Sequence, residues 1–223
     1  MSDTLKTLLW SAIGFLLGSI PFAWTLAHLV AHLDVRQVGN GNPGTANAWK
    51  AGGWPLGVTV MVLDFAKGFA PVGIAHYFTG ANGYALIPIA LAPLLGHAFS
   101  PFLSLRGGKA VAVTFGIWTG LTLWLGPVAL AFGLVLFMRL QKVDAWSLIL
   151  AMGVMLASLL VADYGLPFLL VWVGNTLVLV WKHRTELRQP PRRLHFPLSV
   201  ALASPVIILV ALFIAIRSLI GTY

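Results

Sequence analysis

Long, evenly apolar runs dominate this chain, in place of the alternation expected of strands or the one-sided periodicity of surface helices. Eight can be drawn, over roughly 5–32, 54–79, 83–101, 108–124, 126–140, 146–162, 165–182 and 196–219. A membrane-crossing helix needs about 20 predominantly apolar residues, and runs of this kind without a polar face do not suit a soluble core. The pattern predicts an all-α, polytopic transmembrane helical bundle. It forms a single domain over 1–223, because no long polar stretch parts one half from the other. The first run, from Leu8 to about Val30, lacks a small-residue cleavage site and reads as a retained span rather than a signal peptide.

Several runs are broken. Gly18-Ser19-Ile20-Pro21 interrupts the first, and only Leu125-Gly126-Pro127 parts the fourth from the fifth. Non-helical backbone survives in a bilayer where protein satisfies it or where it lines a wet cavity, so such breaks point to binding sites. Charge sets the orientation. Arg36 and Lys50 follow the first run, Arg106 and Lys109 the third, and Arg139 and Lys142 the fifth. Lys182, Arg184, Arg188, Arg192 and Arg193 follow the seventh, whereas the loops after the second and sixth hold no Lys or Arg. The positive-inside rule puts the basic set in the cytoplasm, and both termini outside. Lys6 and Arg217 oppose this without outweighing the loops.

Composition sharpens the class. Of 223 residues, 59% are hydrophobic and 9% charged, against about 25% charged in soluble domains. The net charge of +8 is accounted for by the loops and implies no nucleic-acid partner. The absence of cysteine excludes disulfides, thiolate catalysis and Cys-ligated zinc. No H-E-x-x-H or comparable ligand spacing occurs, so no metal site is expected.

Chemistry is suggested by a few polar segments on the basic side. In Leu105-Arg106-Gly107-Gly108-Lys109-Ala110-Val111, two glycines and a lysine precede an apolar run. This reads as a helix N-terminus whose free N–H groups and partial positive charge suit phosphate. The G-x-x-x-x-G-K-[ST] pattern is absent, so nucleotide hydrolysis is not expected. The Gly39–Asn47 loop holds three Gly, three Asn and Pro43. A flexible connector is the plainer account of that composition; Arg36, suited to bidentate phosphate contact, and the second glycine-rich basic loop argue for binding. Ser19, in the first break, either restores the helix hydrogen-bond ladder or reaches a substrate. Asp64 and Lys67, at i and i+3 within a span, form either a self-neutralising pair or part of a site. His97 and His183, near span ends, are either interfacial or functional.

The segments Gly18-Ser19-Ile20-Pro21-Phe22, the Gly39–Asn47 loop, Leu63-Asp64 with Lys67-Gly68, Leu95-Gly96-His97 with Phe99 and Pro101-Phe102, Gly107-Gly108-Lys109, and Lys182-His183-Arg184 occur in this order. Together they resemble the PlsY family, bacterial membrane glycerol-3-phosphate acyltransferases that use acyl phosphate. The resemblance covers roughly residues 10–190 and implies a seven-span core over 1–190, with 196–220 an added C-terminal helix. It implies transfer of a fatty acyl group from acyl phosphate to the 1-hydroxyl of glycerol 3-phosphate, giving lysophosphatidate and phosphate for phospholipid synthesis. No cofactor is implied; the partners are the two substrates and membrane lipid, and the site faces the cytoplasm from the bacterial inner membrane. Ser19, Lys109 and His183 are implied as catalytic. Arg36, Asn42, Gly44, Asn47, Gly107, Gly108 and Ser147 are implied as substrate-binding.

The chain departs from that family pattern at Asn40 (for Ser), Thr45-Ala46 (for Ala-Thr), Ala110 (for Gly), Val113 (for Thr), Asp144 (for Ser) and Glu186 (for Asn). Carboxylates at the last two positions repel phosphate unless they pair with Arg or Lys. Two further readings follow. One is a relative acting on another phosphorylated alcohol, or without catalysis. The other is a transporter of anionic solutes, which predicts matched internal repeats; the two glycine-rich loops are not copies of one another.

Overall fold

The computed structural model describes residues 2–192, which form a bundle of α-helices; the run at 196–219 lies outside the described residues. The first apolar run is two helices, α1 (Asp3–Ser19) and α2 (Phe22–Ala31). Next come α3 (Thr45–Gly73), extended by a π turn over Ile74–Phe78, and α4 (Leu86–Ala98). Then follow α5 (Val111–Thr122), α6 (Leu125–Leu140), α7 (Asp144–Val161), α8 (Leu166–Lys182) and the one-turn α9 (Arg184–Leu187). Asp3–Ala31, Thr45–Phe78, Gly83–Leu103 and Asp144–Val161 are long and apolar enough to cross a membrane.

The break after Ser19 has a local cause and a tertiary remedy. Pro21 has no N–H and its ring bars the preceding helical turn. The carbonyls this frees are taken up from elsewhere in the bundle: Ser100 Oγ donates to the Ser19 carbonyl at 2.6 Å, and Lys67 Nζ donates to that of Ile20 at 2.8 Å. Close helix approach depends on glycine at several crossings. A Cβ on Gly18 of α1 would strike the Pro93 backbone of α4, and one on Gly116 of α5 would strike the Phe65 carbonyl of α3. Small residues at such crossings are how helices associate in lipid, where apolar contact alone gives no preference for protein over acyl chain. The core behind them is centred on Trp118, with Ile117, Leu121, Leu130, Met152 and Met155. Trp118 Nε1 donates to Asn175 Oδ1 and Asn175 Nδ2 to Thr114 Oγ1, both at 3.0 Å, tying α5 to α8.

Three boundaries differ from the sequence reading. The second span begins at Thr45, not 54: Thr45–Ala51 is helical up to a kink at Gly52 and Gly53, and the Gly/Asn-rich composition concealed that turn. The fourth and fifth runs part at Leu123 and Trp124, where Leu123 has φ 56°, and not at Leu125-Gly126-Pro127. Those three residues are the first turn of α6, where a proline forfeits no hydrogen bond and Thr122 Oγ1 accepts the Gly126 N–H at 2.9 Å. The helix after the glycine-lysine segment starts at Val111, not 108. Its 12 residues rise about 18 Å, short of the roughly 30 Å hydrocarbon thickness, so the non-helical segment before it reaches into the bundle.

Candidate active site

A cavity of about 590 Å³ opens at the end of the bundle where the connections after α2, α4, α6 and α8 meet. Asn40, Asn42 and Gly44 come from the first of these, with Thr45 opening α3; Lys109 comes from the second; Lys142 comes from the third, with Asp144 opening α7; His183, Glu186 of α9 and Gln189 follow α8. Asp64 of α3 and His97 of α4 form its inner wall. Segments far apart in the chain thus meet at one cavity.

The individual groups are held in defined states. Lys109 Nζ donates to Glu186 Oε1, joining the second loop to α9, and both side chains are partly exposed to the cavity (24% and 33%). Burial pushes the Glu186 carboxyl up, but the Lys109 bond, its own backbone and the charges of Lys109 and His183 outweigh this and hold it below the ordinary value. His183 caps α8, and its Nδ1 lies 2.9 Å from the Leu179 carbonyl. A carbonyl only accepts, so Nδ1 carries the proton and the neutral ring keeps a lone pair on Nε2. Burial depresses the His183 pKa below 6.5, so the neutral ring prevails at pH 7.

Beneath the cavity lies a buried polar cluster. Asp64 and Lys67 pair at 2.7 Å with each side chain 3% exposed, and His97 Nδ1 stands 3.7 Å from the same carboxylate oxygen. Asp64 and His97 also line a small void behind the cavity, which Ser19, Lys67, Ser100 and Gly108 share.

The two glycines before Lys109 do different work from that expected. The Gly108 N–H donates to the His97 carbonyl at 3.1 Å, and a Cβ at Gly107 or Gly108 would collide with His97. These residues lay this stretch of chain against the end of α4; the Gly108 N–H is not left free for phosphate. Lys182 Nζ donates to the carbonyls of Gly107 (2.8 Å) and Ala98 (2.9 Å), clamping the same segment from α8. Ala110 follows with φ 64°, a left-handed conformation that favours the glycine expected there by resemblance.

Among the residues singled out from the sequence, Lys109, His183, Asn42 and Gly44 line the main cavity. Asp64 lines it as well, whereas Lys67 faces only the void behind. Ser19 is in the void, its hydroxyl donating to the Phe15 carbonyl at 2.7 Å. Asn47 braces the first loop, donating to Asn40 Oδ1 (3.0 Å) and the Asn42 carbonyl (2.9 Å). Ser147 is fully buried, one residue before the cavity-lining Leu148. Gly107 and Gly108 lie off the main cavity, as does Arg36. Arg36 grips Asp34 instead, its Nη2 2.6 Å from Asp34 Oδ2, and this bond holds the Asp34 carboxyl down to about 2. Sequence reasoning assigned no role at the site to Asn40, Lys142 or Gln141, and left that of His97 open. Gln141 Oε1 accepts the N–H groups of Lys142 (3.0 Å) and Arg192 (2.6 Å), tying the connection after α6 to the chain after α9.

Geometry and composition together define an integral membrane helical bundle with a lysine-bearing cavity of mixed polar and apolar lining at one end. Residues 8–190 match the family model for glycerol-3-phosphate acyltransferase, and the chain belongs to that family. It is 35% identical over 191 residues to glycerol-3-phosphate acyltransferase 1 of Thermotoga maritima, covering 79% of this chain and 94% of the relative. It is 36% identical over 199 residues to the glycerol-3-phosphate acyltransferase of Anaeromyxobacter dehalogenans strain 2CP-1, covering 85% and 96%. The fold is similar to the crystal structure of PlsY (YgiH), an integral membrane glycerol 3-phosphate acyltransferase solved in its glycerol 3-phosphate form. The TM-score is 0.75 at 29% identity, over 89% of this chain and 99% of that one. The lysophosphatidic acid form of PlsY matches with a TM-score of 0.74.

Proposed function

We propose that this chain transfers a fatty acyl group from acyl phosphate to the 1-hydroxyl of glycerol 3-phosphate, releasing lysophosphatidate and inorganic phosphate. The observation that carries the reading is the meeting of Lys109, His183 and the Asn40–Thr45 loop at one cavity in a membrane-embedded member of this family. An acyl phosphate is already activated, so no protein nucleophile is required. The hydroxyl oxygen attacks the acyl carbon, the bond from that carbon to the phosphate oxygen breaks, and inorganic phosphate departs. His183 Nε2 takes the hydroxyl proton, and Lys109 balances charge on phosphate. Holding both substrates in line supplies about 7–11 kcal/mol of the barrier reduction. The acyl tail stays among apolar helices while the polar heads meet in the cavity.

The cavity opens where the Lys- and Arg-bearing loops gather, which supports a site facing the cytoplasm from a bacterial inner membrane. Purified protein in lipid nanodiscs, given glycerol 3-phosphate and a long-chain acyl phosphate, is expected to form lysophosphatidate and phosphate in equal amounts. Acyl thioesters are expected to be inert. Uptake of glycerol 3-phosphate into vesicles without acylation would favour transport instead.

A further inference from the structure

The main cavity carries three carboxylates, and one of them sits on the lysine that a phosphate would need. Asp64 is matched by Lys67. Asp144, at the far rim, forms no ion pair among the described residues. Glu186 is different: its Oε1 accepts from Lys109 Nζ, and both residues line the cavity. A carboxylate presents an ammonium with the same chemistry as a phosphoryl group, namely anionic oxygens at hydrogen-bond distance. It therefore occupies the place a ligand phosphate would take on Lys109. The pair is partly exposed, so water can take up part of each charge as the two separate. The short α9 that carries Glu186 begins directly after His183, so the competing anion and the neutral imidazole enter the cavity from one turn of chain.

We propose that Glu186 is a built-in competitor: in the empty site it holds Lys109, and a phosphorylated substrate binds by displacing it. The inference rests on the functional reading only for the class of ligand. Glu186 is then a specificity-determining residue. It sets how much phosphoryl charge a ligand must bring to win the lysine, and it keeps that lysine from scavenging weaker anions.

The test is isothermal titration of the detergent-solubilised full chain with inorganic phosphate and, separately, glycerol 3-phosphate. Wild type, Glu186→Gln, Lys109→Ala and the double variant are compared, with Glu186→Asn as a second neutral variant and thermal melting as the check on folding. Glu186→Gln is expected to bind both ligands about three- to tenfold more tightly, the counterpart of releasing one partly exposed ion pair. In the Lys109→Ala background the same change is expected to bring no gain. Equal or weaker binding by both neutral variants overturns the proposal, as does the same gain without Lys109. If the variants bind as expected but no acyl transfer is found with wild type, the competitor stands and the acyltransferase reading fails. Absence of phosphate binding in every folded variant overturns both.

Discussion

The ammonium of Lys182 donates to the carbonyl of Gly107 at 2.8 Å across 75 positions of sequence, and to that of Ala98 at 2.9 Å. One side chain thus fastens α8 to both the glycine turn and the end of α4, and it immediately precedes His183. Replacing it with Met keeps most of the volume and removes both bonds. Lys182→Met is expected to cost about 2–3 kcal/mol and to raise KM for glycerol 3-phosphate, since Lys109 and His183 lose their common anchor. Thermal melting in nanodiscs beside steady-state kinetics checks this; an unchanged melting point would contradict it.

The buried Asp64–Lys67 pair makes a different prediction. Asp64→Asn leaves the Lys67 ammonium uncompensated among side chains that exclude solvent, at a cost of about 3–5 kcal/mol. Combining Asp64→Asn with Lys67→Gln removes both charges and is expected to melt higher than Asp64→Asn alone. A double variant no more stable than the single one would show that the pair is not the unit of stability here.

His183 predicts a pH dependence. Its folded pKa lies below the unfolded value of 6.5, because burial disfavours the imidazolium. The unfolded chain therefore binds the proton more readily than the folded one. Stability from this residue is complete above 6.5 and is lost as pH falls through that value toward the lower folded one. Activity follows the neutral ring: kcat/KM is expected to hold through neutral pH and fall on the acid side of 6.5. His183→Gln is expected to lower the rate about 10²–10³-fold and to remove that acid limb. Retention of the limb in the variant would assign it to another group.

The spans were legible because a bilayer enforces its own rule: apolar runs of sufficient length become helices. The break at Pro21 was legible for the same reason, since proline carries its effect in its own ring. The break at Leu123 was not. Leu and Trp announce no turn, yet Leu123 takes a positive φ of 56° between α5 and α6. The helical turn at Thr45–Ala51 was hidden by glycines and asparagines that read as loop. Lys109 and His183 could be singled out from their motifs. The Lys109–Glu186 pair, the grip of Lys182 on Gly107 and the closeness of His97 to Asp64 could not, because each joins residues that only the folded bundle brings together. Nor was the local tie of Arg36 legible: Asp34, two residues away, accepts from its Nε and Nη2.

The most direct test follows the rate of lysophosphatidate formation from acyl phosphate and glycerol 3-phosphate in purified wild-type protein and in Lys109→Ala. Loss of a charged donor to phosphate at this cavity is expected to reduce kcat/KM about 10²–10³-fold, with melting and elution unchanged. A folded Lys109→Ala protein that turns over as fast as wild type would contradict the account.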